Sequence, residues 1–585
     1  MEMPVNITLK RYWQTLVTYL QPLWPQALLL AVVLFGSIGL QLVNPQILRF
    51  FIDTATGGGP LSVLGQSALL FVGIALANQA LSVLATYTSE NLGWSATNAL
   101  REDLALHCLR LDMSFHKGHT PGDMIERIDG DVTALANFFS QFVINIVGNA
   151  VLLVGVLVVL WLIDWRAGVA MLVFGSMTLG ILIAMRSMAV PYWEGARQAA
   201  ADFTGFLVER LGGTEDIRSS GAVPFVLRGF FKLMRQRLQK ERQASLIAGS
   251  MSFMNLLLHA IGTAIAFILS ALLYRSGEIS LGTAFIILNY VEMIFRPLNI
   301  ISQQMQNLQM ASAGLDRVEK LFATTSCIQD GPGKALPGGQ IAVEFRDVSF
   351  AYEGDDTVLH RISFRLQPGR VLGVLGRTGS GKTTITRLLA RLYDPKEGAI
   401  LLGGVDIRQV HLKELRRRVG VVTQDVQLFE ATVRDNLTFF DTTISDDRIV
   451  RVLCELGLGQ WYHSLPHGLD TELAADGGGL SAGEAQLLAF ARVFLADPGL
   501  VIMDEASSRL DSATEALIER AIDKLLYNRT ALIVAHRLAT VHRADEIMIV
   551  ENGCICEHGE RARLAADPGS RFYGLLQTGL EEALK

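Results

Sequence analysis

Five stretches of this chain are long, apolar and free of charge: Trp24–Leu48, Leu61–Ser89, Val132–Ile163, Ala167–Met185 and Ala244–Tyr274. A helix needs about 20 such residues to cross roughly 30 Å of hydrocarbon, and a soluble helical bundle does not sustain five runs of this kind. A sixth, Ile279 to about Ile301, is interrupted by Glu292, Arg296 and Pro297. The composition agrees, with half of the 585 residues hydrophobic, 18% charged and a mean hydropathy of +0.33. The start lacks the basic, apolar, small-residue succession of a cleavable leader, so the first run is read as a span. Residues 7–22 mix Tyr12, Trp13 and Tyr19 with Lys10 and Arg11, which fits a segment at the membrane surface or a solvated helix.

The connections alternate in length. Residues 49–60, 164–166 and 275–278 are short, whereas 90–131 and 186–243 are long and rich in Lys and Arg. That excess puts both long arms and both termini in the cytoplasm, and the expected location is the cell (inner) membrane. Helical arms of this length project well beyond the bilayer. Glu292 and Arg296 stand one helical turn apart and are placed to pair; an ionisable residue in a span either faces the bundle interior or orients the helix at its edge. Asn255 and His259 read as interhelical hydrogen-bonding groups.

Residues 322–340, with Gly331-Pro332-Gly333 and Pro337-Gly338-Gly339, form a linker. Beyond it the pattern is that of a soluble α/β domain. Ile341–Phe345 and Val348–Tyr352 read as strands, and Val371–Leu375 and Leu500–Met503 as buried parallel strands. The fold expected is a membrane all-α domain of six long transmembrane helices (1–321), the linker, and a C-terminal α/β P-loop NTPase domain (341–585). Five scattered cysteines, Cys554-x-Cys556 included, read as reduced thiols. A net charge of −6 gives no argument for nucleic acid as a partner.

The strand Val371–Leu375 runs into Gly376-Arg377-Thr378-Gly379-Ser380-Gly381-Lys382-Thr383, and a helix-like segment follows from Thr384. Strand, glycine loop and helix in this order make a phosphate-binding loop. The glycines let successive N–H groups face one anion, and the helix start adds partial positive charge. Lys382 reaches the outer phosphates of a nucleoside triphosphate, and the Thr383 hydroxyl ligates Mg²⁺. Downstream, the apolar strand Leu500–Met503 ends in Asp504-Glu505. Asp504 suits the Mg²⁺ shell and Glu505 the polarising of an attacking water.

In this company the chain resembles the ATP-binding cassette (ABC) transporters, specifically the exporter-type half-transporters with six membrane helices and one nucleotide-binding domain. Phe350-Ala351-Tyr352 resembles the A-loop, Val422-Thr423-Gln424-Asp425 the Q-loop and Ser508-Arg509-Leu510-Asp511 the D-loop. His536 matches the switch histidine, Thr471-Glu472 resembles the exporter X-loop, and Gly122-Asp123 with Arg127 and Asp131 resembles the segment around the first coupling helix. The resemblance implies ATP held by Tyr352, Gly376, Thr378, Gly379, Ser380, Gly381, Lys382, Thr383 and Thr384 of one chain. Ser481 and Gly483 would come from a second chain, with Asp511 at the contact. It implies catalysis by Glu505, His536 and Gln424, Mg²⁺ at Thr383, Gln424 and Asp504, and ATP-driven export of a substrate across the lipid bilayer. One motif departs. The family's Leu-Ser-Gly-Gly-Gln signature is here Leu480-Ser481-Ala482-Gly483-Glu484. Ser481 and Glu484 still form a capping box, but Ala482 adds a Cβ and Glu484 a negative charge where phosphate is expected. This mismatch favours a heterodimer with a second half-transporter over a homodimer. An exporter-fold importer, a non-transporting regulator and a membrane-tethered kinase share parts of the pattern; the complete hydrolytic set argues against the regulator, and no acceptor site supports the kinase.

Overall fold

The computed structural model describes residues 17–352, 356–423, 426–474, 480–504, 512–535 and 538–578. Contacts divide the chain into two compact units. One holds the residues through Leu109 together with Pro121–Thr324; the other holds Arg110–Thr120 together with the chain from Thr325 on.

The first unit is helical, and six of its helices are long and apolar enough to cross a membrane. They are α1 (Trp24–Thr56), α2 (Leu61–Arg110), α3 (Pro121–Ile163), α4 (Trp165–Gly212), α5 (Val223–Arg275) and α6 (Leu281–Ala323). With 50 and 53 residues, α2 and α5 are about 75–80 Å long at 1.5 Å per residue. That is more than twice the hydrocarbon thickness, so much of what the sequence presents as long connections is helix continuing past the membrane. Of the segment 7–22, residues 7–16 lie outside the described residues, and Val17 onward already belongs to the first span. The core between helices is built from Leu34, Leu152, Val156, Phe174, Ile286 and Tyr290. Tyr290 is fully buried and satisfied, its hydroxyl donating to Leu42 O (2.7 Å) and accepting from Gln46 Nε2 (2.9 Å). Gly262 is required by close packing, because a Cβ there would sit 2.6 Å from the Phe174 ring.

Pro297 breaks the apolar run in sequence, yet α6 continues through it as one helix; membrane helices tolerate proline where neighbours re-satisfy the backbone. One expectation about the spans needs correction. Glu292 does not pair with Arg296. It meets His259 of α5, Nε2 to Oε2 at 3.0 Å, because a partner on the adjacent helix lies nearer its carboxylate than the next turn of its own. Asn255 and Asn299 exchange amide hydrogen bonds (2.8 and 3.2 Å), so both polar groups of α5 are satisfied between helices. Helix α3 contains two π-helical stretches, Glu126–Asp131 and Phe142–Gly148. The first seats buried Asp131 against Arg317 of α6. At the second, Asn149 Nδ2 donates to Ile144 O (3.3 Å) and Asn145 O (3.0 Å), carbonyls loosened by the wider turn.

The second unit is α/β. A six-stranded sheet has the order β12-β11-β3-β10-β9-β6, formed by β3 (Val371–Leu375), β6 (Val419–Val422), β9 (Leu500–Asp504), β10 (Thr530–Val534), β11 (Glu546–Glu551) and β12 (Cys554–Glu560). Every pair in it is parallel except β11 with β12. Strands β3 and β10 are buried at every position, as continuous apolar runs predict for a sheet covered on both faces. Cys554 and Cys556 share a face of β12 as exposed free thiols, and no metal-binding cluster occurs among the described residues. A second sheet, β2-β1-β4-β5, contains β1 (Val343–Phe350), β2 (Leu359–Leu366), β4 (Glu397–Leu402) and β5 (Val405–Asp406). The two short strands expected over 341–352 are therefore one strand. Asp347 at φ 45° bulges it, and Ser363 Oγ takes the displaced Asp347 N–H (2.8 Å).

Residues 324–342 have no regular structure, yet they are stitched down. Arg418 donates to Pro337 O and Gly339 O (both 2.7 Å), Lys334 N to Gln409 O (2.9 Å), and Leu412 N to Asp330 (2.7 Å). The arm segment in this unit is a short helix, Met113–Gly118, capped by Asp112. The second oxygen of Asp112 accepts from Cys327 N (2.6 Å) and Ser326 Oγ (3.3 Å). Burial works to raise this carboxyl, but its four hydrogen bonds outweigh that and hold it below the usual aspartate range. Gly122, Asp123, Arg127 and Asp131 follow this helix in the chain. Those residues fall in the first unit, where Asp123 pairs with Arg127 (3.2 Å).

Candidate nucleotide-binding site

The glycine loop joins β3 to α7 (Lys382–Leu389), and its backbone explains its composition. Gly376 has φ 153°, and a Cβ there would lie 2.1 Å from Val550 O. Gly381 caps α7 in the left-handed region at φ 105°, and Gly379 at φ 83° opens on free space. Only glycine adopts these conformations without strain. Lys382 is buried at the first position of α7, and its Nζ donates to Gly376 O (2.6 Å) and Arg377 O (3.0 Å). The ammonium is thus clasped by the loop it closes. Ser380 Oγ is buried without a hydrogen-bond partner among the described residues, an orphan that a phosphate oxygen would satisfy. The Thr383 hydroxyl is exposed on the same turn, whereas Thr384 is buried and its Oγ1 meets Tyr352 Oη at 3.2 Å.

Tyr352 lies in an aromatic nest. Tyr393 and Phe350 meet it edge-on at 5.2 and 4.9 Å between centroids, and Arg387 donates to its hydroxyl (3.3 Å). Lys117 Nζ stands 4.4 Å above the ring, a cation–π contact. Sequence reasoning missed Lys117, and no local signal marks it: the contact exists because the short arm helix packs in this unit. Burial pushes the Tyr393 phenol up, so it stays protonated.

Parallel pairing gathers the remaining motifs. In register, Val374 of β3 faces Val534 of β10, which faces Asp504 of β9, and Met503 faces Val422 of β6. The C-terminal ends of four strands therefore share one edge, where ligands bind in open α/β sheets. In sequence the glycine loop follows β3, His536 follows β10, Glu505 follows β9 and Gln424 follows β6. Asp504 is half-buried, and its carboxylate has no hydrogen-bond or ion-pair partner among the described residues. Gln424, Glu505, Asp511 and His536 lie outside the described residues. Glu472 of the X-loop sits exposed on β8 (Glu472–Leu473), paired antiparallel with β7 (Ala431–Thr432).

The signature opens α8 (Ala482–Ala496) with Ser481 as N-cap. The capping box is complete: Glu484 N donates to Ser481 Oγ (3.2 Å) and Ser481 N to Glu484 Oε2 (2.8 Å). Ser481 Oγ also stands 2.9 Å from the same carboxylate oxygen and donates its proton there. A glutamine at this position would offer an uncharged oxygen. The glutamate both binds the serine proton more strongly and adds a negative charge beside it. Gly483 is buried behind the cap.

The family description "ABC transporter transmembrane region" matches residues 27–298, and "ABC transporter" matches 359–508. A fatty acid ABC transporter ATP-binding/permease protein of Mycobacterium tuberculosis is 30% identical over 80% of this chain and 74% of its own length. The chain belongs to the ABC transporter family. An ABC transporter ATP-binding protein of Bacillus subtilis, YknV, is 29% identical over 97% of this chain and 95% of its own. The ATP-dependent lipid A-core flippase of Idiomarina loihiensis is 27% identical over 96% and 97%. A bacterial Atm1-family ABC exporter solved with ATP bound shares the fold, with a TM-score of 0.81 and 23% identity over 95% of this chain and 99% of that one. The ABC chain is accordingly an exporter-type half-transporter: a multi-pass membrane protein with a cytoplasmic ATPase domain that couples hydrolysis to transport.

Proposed function

We propose that two ABC half-transporter chains pair, each ATP lying between the glycine loop of one and the signature of the other, and that this drives export of a substrate through the membrane helices. Lys382, Ser380 and the loop N–H groups bind the phosphates, and Tyr352 stacks on adenine. Thr383, Gln424 and Asp504 would hold Mg²⁺, which neutralises phosphate charge when bound; the unpartnered Asp504 carboxylate and exposed Thr383 hydroxyl fit that ion. Glu505 polarises the attacking water, His536 contacts the γ-phosphate, and Gln424 serves at the Mg²⁺ site. Asp511 lies at the contact between chains. The names of two relatives, a fatty acid transporter and a lipid A-core flippase, support amphiphilic cargo.

The partner is a different half-transporter, and the observation that carries this is the Ser481–Glu484 contact. The glycine loop and Asp504 keep the family's residues, while the signature's serine proton is engaged by a carboxylate. Since each site borrows its signature from the other chain, a homodimer would set a sound loop against this signature twice. A heterodimer sets it against a better one once. The test is purification of this chain alone and with a co-expressed second half-transporter. Hydrolysis several-fold faster per chain in the mixed assembly is expected; brisk hydrolysis by a two-fold symmetric dimer of this chain alone would overturn the pairing.

Tyr352→Ala is expected to weaken ATP binding by about 1–3 kcal/mol, the scale of base–aromatic stacking, and Tyr352→Phe to be nearly silent. Equilibrium titration with ATP reads both. Equal affinity for the wild type and a folded alanine variant would return Tyr352 to a packing role.

A further inference from the structure

The membrane unit holds a cavity of about 530 Å³ among α1, α2, α3 and α6, within the size range of ligand pockets. Its lining is unusual for a membrane interior. It includes Gln41, Ser37, Asn78, Asn145 and the cation Arg296, and no carboxylate is among its lining residues. A guanidinium at membrane depth costs several kcal/mol unless it is paired or serves a polar pathway. Arg296 has no hydrogen-bond or ion-pair partner among the described residues, because Glu292, one turn away, is engaged by His259 (3.0 Å).

The neutral groups are oriented as well. Gln41 Nε2 donates to Ser37 Oγ (3.3 Å), and Ser37 Oγ donates to Asn78 Oδ1 (2.8 Å). This relay fixes the Asn78 amide with its oxygen toward Ser37 and leaves its NH₂ group as a donor. At the π-helical stretch of α3, the carbonyl of Asn145 is taken up by Asn149, and the Asn145 side chain makes no hydrogen bond among the described residues. The rest of the wall is apolar, with Leu34, Ile38, Leu152 and Ile300. The cavity thus offers one positive charge, oriented donors, no opposing acid, and a hydrocarbon-like side.

We propose that this cavity binds the anionic head of an amphiphile, a carboxylate or phosphate ester, with Arg296 supplying the charge and Asn78 and Asn145 the hydrogen bonds. The tail lies along Leu34, Ile38 and Leu152. The assignment rests on reading the membrane unit as the substrate path, and names the class of cargo for it.

Binding is measured without ATP on the full-length transporter in nanodiscs of zwitterionic lipid. The probes are dodecyl phosphate, the uncharged dodecyl maltoside, and glycerol 3-phosphate, which carries the charge without the tail. Saturable binding of dodecyl phosphate is expected, weakened about ten-fold or more by Arg296→Gln and largely restored by Arg296→Lys, since hydrogen bonds to charged groups carry that scale. Asn78→Asp preserves shape while adding a negative charge, and is expected to abolish dodecyl phosphate binding with dodecyl maltoside partitioning unchanged. Equal affinity of wild type and Arg296→Gln for dodecyl phosphate overturns the anion site. Glycerol 3-phosphate binding as tightly as dodecyl phosphate overturns the amphiphile. Transport is read separately, as ATP-dependent accumulation of dodecyl phosphate in proteoliposomes that hold this chain with its second half-transporter: its absence, with Arg296-dependent dodecyl phosphate binding intact, refutes transport and supports the site.

Discussion

Steady-state ATP hydrolysis is expected to fall by on the order of 100-fold or more in Glu505→Gln, the range for loss of a general base. The substitution keeps shape and hydrogen bonding while removing the group that polarises water, so ATP binding should survive. The position follows from the sheet. Asp504 ends β9 in register with Val534 of β10, which pairs with Val374 just before the glycine loop. The strand that ends in Asp504 therefore finishes at the same edge as the glycine loop, and Glu505 is the next residue in sequence. Measuring turnover and ATP affinity together separates this outcome from misfolding. Near-normal turnover in the variant would remove Glu505 from the mechanism.

Lys382→Ala is expected to act at binding instead. Its ammonium holds Gly376 O and Arg377 O, so the change removes both a charge for the phosphates and the clasp that closes the loop. Loss of one charge-assisted hydrogen bond to phosphate, worth about 1.5–3 kcal/mol, weakens ATP affinity by roughly ten- to a hundred-fold. Isothermal titration with ATP checks the affinity, and a urea melt checks that the domain still folds. Unchanged affinity would place the lysine in a structural role only.

What could be read from the sequence depended on how local the determining physics is. The strands at Val371–Leu375 and Leu500–Asp504 were legible because strands buried on both faces are uninterrupted apolar runs. The Ser481–Glu484 cap was legible because its spacing is its mechanism. The bulge at Asp347 was not, since it turns on a left-handed residue whose N–H finds Ser363 on the next strand. Helix ends beyond the membrane were hidden because charged residues continue a helix without apolar periodicity. The partner of Glu292 could not be read at all: His259 and Arg296 are both suitable, and only the packing of α5 against α6 selects between them. Lys117 over Tyr352 belongs with it, a contact set by where the arm helix docks.

The proposed inequality between the two halves of the nucleotide site on this one chain is measured directly as hydrolysis by the lone chain with its signature restored. Ala482→Gly with Glu484→Gln removes the added Cβ and the carboxylate that takes the Ser481 proton (2.9 Å). Freeing a hydrogen bond to a charged phosphate is worth about 1.5–3 kcal/mol. The restored chain, purified without a partner, is therefore predicted to hydrolyse ATP at least about ten-fold faster than the slow wild-type chain. A wild-type chain that is already fast alone, and no faster after restoration, would contradict the account.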